Sequence, residues 1–183
     1  MSVRLARKII TSTILFLALA LPLSTAHAAD TSIGVVDVER ILSESLAAKS
    51  LQTQVETQRK TFLSEIEKEE NKLREEQKKI EEQRANMSKE ELAQKAQEFE
   101  TKRLEARKLL EKRKSSLDKA YAEAMGSLGQ AVSDAVGKVA KDKGYDLVIT
   151  KQNVIIGSTS LEITEQVMEE LNKTISSVKL NVQ

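Results

Sequence analysis

Beyond its first 28 residues this 183-residue chain contains no histidine, cysteine, proline or tryptophan; the one histidine is His27 and the one proline Pro22. Each absence closes a class of chemistry. Without histidine there is no imidazole acid–base pair, and without cysteine no thiol nucleophile and no disulfide. The usual zinc ligand set is missing as well. The same 155 residues carry only four aromatic side chains, Phe62, Phe99, Tyr121 and Tyr145. So few large apolar groups do not build a big globular core. The residues point to no catalytic centre, no cofactor and no metal.

What the first 28 residues do contain reads as an export signal. Arg4, Arg7 and Lys8 form a basic start, Ile9 to Leu23 is mainly apolar, and Ala26-His27-Ala28 is a small-residue cleavage motif. Cleavage is expected after Ala28. A membrane span needs about 20 apolar residues, and Thr11, Ser12 and Thr13 interrupt this run. Removing three bases and no acid leaves 26 bases against 28 acids, a net charge of −2. The expected product is exported and soluble, which in a bacterium with two membranes points to the periplasm.

The exported part opens with a strand-type run, Ile33-Gly34-Val35-Val36, and Asp37 is placed to cap a following helix. From Val38 to about Arg84 there is neither glycine nor proline, and Glu, Lys, Gln, Leu, Arg and Ala dominate. One helix of that length spans about 70 Å. Ile66, Leu73, Ile80 and Met87 recur every seven residues, while the companion seam of Val55 and Phe62 turns polar at Glu69 and Glu76. Ala85-Asn86-Met87 breaks the pattern. Ser88-Lys89-Glu90-Glu91 is a capping box that starts a second helix. That helix runs to about Lys143, with Gly144 as its stop. Two long helices joined by so short a turn lie antiparallel. This is a helical hairpin.

Pivoting near Met87 sets residues opposite each other whose numbers add to about 174. Segment 65–76 has six acids and three bases, and segment 98–109 opposite it has four bases and three acids. Acid then faces base along the shaft, a pattern that disfavours other registers. After Gly144 the chain reads as a strand at 145–150, a turn at Lys151-Gln152-Asn153 and a further strand at 154–159. A short amphipathic helix follows from Glu162 or Thr164 to about Ile175, with Ile163, Val167, Met168 and Leu171 on one face. The tail to Gln183 is expected to be loose. The fold class is α+β. A small β body (29–38 and 144–183) has three short strands per chain, and a long antiparallel coiled-coil hairpin (39–143) turns near 85–88. A body below about 70–80 residues seldom stands on its own core, so self-association is the economical remedy.

Motifs that suggest chemistry have plainer readings. Ser116-x-x-Lys119 and Ser176-x-x-Lys179 fit a serine-acylase signature, but no Lys-Thr-Gly element accompanies them and the first lies mid-helix. Gly126-x-x-Gly129 sits in an Ala-rich helix with no strand before it, which fits close helix packing. The stretch Lys102–Lys119 holds eight bases and three acids, yet the domain as a whole is slightly acidic, against a nucleic-acid partner.

The order of elements, with Ile33-Gly34-Val35-Val36-Asp37, Gln94-Lys95-Ala96-Gln97-Glu98-Phe99-Glu100, Tyr145-Asp146-Leu147-Val148-Ile149 and Glu162-Ile163-Thr164-Glu165-Gln166-Val167, resembles the Skp (OmpH) family of periplasmic holdase chaperones. The resemblance spans the exported chain. It implies a homotrimer with a β-barrel body and three helical tentacles around a cavity. It also implies ATP-independent binding of unfolded outer-membrane proteins, which prevents their aggregation on the way to the outer membrane. The best-known members are strongly basic, with lipopolysaccharide contacts proposed for that surface. A net charge of −2 weighs against membrane or lipopolysaccharide contact here, and against charge-driven capture of clients. Leu63, Leu104 and Leu109 off the main seam, and Met87 at the tip, are the candidate client contacts. The alternative function is a structural coiled-coil spacer of the cell envelope, which would not suppress aggregation.

Overall fold

The computed structural model describes residues 31–183; the export signal and the cleavage position after Ala28 lie outside the described residues. Strand β1 (Ile33–Val36) leads into α1 (Val38–Glu44) and α2 (Leu46–Gln83). A single 3-10 turn at Arg84–Asn86 reverses the chain into α3 (Lys89–Lys143). Strand β2 (Leu147–Thr150) and α4 (Thr164–Thr174) complete the fold.

Local chemistry sets most of these boundaries. Asp37 Oδ1 accepts from the Arg40 amide at 3.0 Å and caps α1. At the tip the expected capping box is formed: Ser88 Oγ accepts from the Glu91 amide at 3.2 Å, and Glu91 Oε2 accepts from the Ser88 amide at 2.9 Å. These two bonds satisfy orphan donors at the start of α3. Gly144 closes α3 in the left-handed region at φ 72°, a conformation that costs glycine nothing.

The first helix differs from the single rod expected from Val38 to Arg84. It is interrupted at Ser45, which has an extended backbone (ψ 156°), is fully buried, and caps α2 through its hydroxyl at the Ala48 amide. A second N-cap inside an uninterrupted run of helix formers redirects the chain. The Leu46 amide, freed by the break, donates to Asn172 Oδ1 on α4 at 2.9 Å. The interruption thus depends on a partner 126 residues away.

β1 and β2 pair in parallel, with Ile33 opposite Leu147 and Val36 opposite Thr150. Parallel strands need a long crossover, and here the entire hairpin supplies it. Residue Glu162 bridges to Val35, and the Ile163 amide donates to Val35 O at 2.9 Å. A Cβ on Gly34 would meet Ile163 Cδ1 at 2.9 Å, so this strand position has no room for a side chain. The expected strand at 154–159 is not formed: the two strands of the sheet are β1 and β2. Val154-Ile155-Ile156 has β-type sequence but pairs with neither strand, and Ile155 and Ile156 stand 98% and 92% exposed.

The core sits where the root of the hairpin meets α4. Ile41, Leu128, Val132, Ile163, Val167 and Leu171 are all buried there. A smaller cluster of Leu51, Val55 and Ala124 continues it outward. The tail is docked on that second cluster instead of being loose: Val178 and Leu180 pack against it.

Candidate functional site

The hairpin changes character beyond Phe62. Among the residues of α2, Phe62 is the last buried one, and on α3 none before Leu117 is buried. The reason is in the heptads. Ile66, Leu73 and Ile80 give one apolar row, but Glu69 and Glu76 occupy the companion row, and two helices cannot close a dry seam over carboxylates.

An open cleft results. The cleft has a volume of about 220 Å³; Ile66, Leu73, Ala106, Leu109 and Leu110 give it apolar lining, and Glu65, Glu69 and Glu70 line it together with Arg103, Arg107 and Arg113. At its inner end the Arg113 guanidinium lies 5.2 Å from the Phe62 ring centroid, a cation–π stack, with Arg113 Nε 3.3 Å from Glu65 Oε2. At its outer side Lys102 Nζ pairs with Glu76 Oε1 at 2.6 Å, and that hydrogen bond raises the lysine above its ordinary pKa of 10.5. Both cross-helix pairs join an acid of α2 to a base of α3, the sense expected from the charge pattern. Their numbers add to 178, four beyond the expected 174, so each residue faces a partner about one helical turn further along. Such exposed pairs are screened by solvent and too weak to lock the shaft.

The structure separates the four residues singled out as contacts. Leu109 lines the cleft. Leu63 and Leu104 project outside it, 65% and 51% exposed. Met87 is half-buried at the tip, following the 3-10 turn. Leu110 also lines the cleft and remains 44% exposed. Ile155 and Ile156 are a second apolar surface, which the sequence had assigned to a strand of the same chain. Among the described residues no group of histidine, cysteine, aspartate or glutamate is arranged to hold a metal ion, and no helix is long and apolar enough to cross a membrane.

No curated protein matches the chain in sequence. A solved structure from Caulobacter crescentus CB15, an outer membrane chaperone (OmpH-like) by its description, superposes with a TM-score of 0.79 at 16% identity, covering 83% of this chain and 90% of that one. At that identity the likeness establishes the fold. The family model for outer membrane protein (OmpH-like) matches residues 32–171, from the residue before β1 to the last buried leucine of α4. By that match, over well more than half its length, the chain belongs to the OmpH-like family.

Proposed function

We propose that the protein is an ATP-independent periplasmic holdase, exported by its N-terminal signal and assembled as a homotrimer, which binds unfolded outer-membrane proteins between its helical arms. The observation that carries this reading is the arm itself. From residue 63 to residue 116 it buries no side chain, yet it offers an apolar cleft and exposed leucines. Soluble proteins seldom keep such surface without a partner for it. The outer-membrane chaperone described for the Caulobacter structure supports the same role. Many weak contacts on three arms add to firm retention by multivalency. The exposed Ile155-Ile156 segment supports self-association, because unpaired β-type sequence is a template for another chain's strand. A stiff spacer calls for a closed seam, and this seam is open.

The test is refolding of a denatured outer-membrane β-barrel protein by dilution, followed by light scattering. Stoichiometric amounts of this protein without ATP are expected to abolish most of the scattering. Unchanged scattering would overturn the chaperone reading in favour of the spacer.

A further inference from the structure

The C-terminal tail lies on the root of the hairpin in a manner that identifies a second binding surface. Gln54, on α2, uses both ends of its side-chain amide on the tail backbone. Its Nε2 donates to Val178 O at 2.8 Å, and its Oε1 accepts from the Leu180 amide at 3.0 Å. A carbonyl and an N–H flanking one residue, here Lys179, are the groups that a parallel neighbouring strand engages. Gln54 therefore treats the tail as a strand and reads backbone, not side-chain identity. Val178 and Leu180 pack on Leu51, Val55 and Ala124. Further on, Asn181 and Gln183 lie along α3 beside Ser116, Lys119 and Ala120.

The tail sequence alternates: Val178, Leu180 and Val182 are separated by Lys179 and Asn181. That period of two is the pattern of a membrane-barrel strand, apolar to one face and polar to the other. We infer that the groove around Gln54 is a docking site for extended, alternating apolar–polar segments of unfolded β-barrel proteins, and that the tail is its resident competitor. The inference rests on the holdase reading and deepens it, adding a backbone-reading site at the root to the apolar cleft of the arm. A tethered competitor acts at an effective concentration in the millimolar range. It keeps the groove covered when no client is present and yields when a longer segment, held also by the arms, arrives.

The probe is a fluorescent synthetic peptide of residues 176–183, compared with a peptide of the same composition in which the two valines and the leucine are adjacent. In the full chain, Val178→Asp with Leu180→Asp ejects the tail. By fluorescence anisotropy this variant is expected to bind the alternating peptide at least 10-fold tighter than the wild type, and at least 5-fold tighter than it binds the block peptide. Adding Gln54→Ala is expected to weaken binding at least 3-fold. Equal affinity of the two chains for the alternating peptide, or of the variant for both peptides, overturns the proposal. A second measurement needs no substitution: millimolar alternating peptide is expected to speed hydrogen exchange of the Leu180 amide in the wild type, and an unchanged rate overturns the proposal. The scattering assay separates the two claims. Aggregation suppressed without peptide competition removes the groove alone; peptide competition without suppression removes the holdase reading and leaves the groove.

Discussion

The two halves of the hairpin are built from nearly the same helix formers and do opposite things. At the root, α3 presents Leu117, Ala120, Ala124, Leu128, Val132, Ala135 and Val139 at steps of three and four, all buried, against Ala47, Ala48, Leu51, Val55 and Phe62 of α2. In the outer arm the steps persist on one row only, and no side chain between residues 63 and 116 is buried. Small residues facing large ones let the root helices approach and exclude water. Carboxylates on the companion row keep the arm helices wet. Stability belongs to the root and adaptability to the arm, and the difference between them is a handful of positions such as Glu69 and Glu76.

The largest effect that tests this contrast is a cavity in the root. Leu128→Ala, at a fully buried site, is expected to cost about 2–5 kcal/mol in urea unfolding. Leu110→Ala in the arm should cost less than 1 kcal/mol, about the scale of a substitution outside a packed core. Equal losses would break the comparison. A tighter probe of the same region is Gly34→Ala, which forces Ile163 Cδ1 aside and is expected to destabilise by about 1–3 kcal/mol. Adding Ile163→Val, which removes that atom, should recover part of the loss. A double mutant no better than the single one would mean that the approach at Gly34 is not what limits the site.

The arm side of the contrast is a matter of binding. Under the holdase proposal, Leu104→Ser with Leu109→Ser should weaken affinity for an unfolded outer-membrane protein by about 10-fold, equivalent to about 1.4 kcal/mol. Lys108→Gln with Lys114→Gln should change it less than 3-fold. Affinity should also vary little as the Debye length falls from about 30 Å at 0.01 M salt to about 8 Å at 0.15 M. A steep salt dependence, or the reverse ranking of the two double mutants, would make capture electrostatic. Hydrogen exchange gives the matching dynamic statement: amides of residues 63–116 should exchange faster than those of 120–139, since local stability follows buried apolar contact. Uniform protection would sink it.

The smallest effect lies at the tip. Glu91 is held below its ordinary pKa of 4.5, first by the Ser88 backbone N–H and then by the Ser88 hydroxyl. A depressed carboxylate stabilises the folded turn fully above its unfolded pKa, and that contribution is lost as pH falls through the lower folded value. Acidifying below about pH 4.5 should therefore fray the start of α3 while the root holds, visible as faster exchange confined to residues 84–95. Glu91→Gln, which keeps a side-chain acceptor but cannot titrate, should remove that pH dependence.

The hairpin, its capping box at Ser88 and Glu91, the stop at Gly144 and the buried face of α4 were all legible in the sequence, because each rests on contacts within about four residues along the chain. The polar seam of the arm was legible for the same reason, and with it the openness of the cleft. Tertiary structure alone decided the rest. Ser45 breaks a run of helix formers because Asn172, far along the chain, can satisfy the amide that the break exposes. β2 pairs with β1 while 154–159, also of strand-type sequence, joins neither strand and leaves Ile155 and Ile156 outward. The tail is placed by Gln54, a helix glutamine that sequence cannot tell from its neighbours Gln52 and Gln58. Pairings across more than a hundred residues are settled by which surfaces remain to be covered once the helices have packed, and no local pattern encodes that remainder.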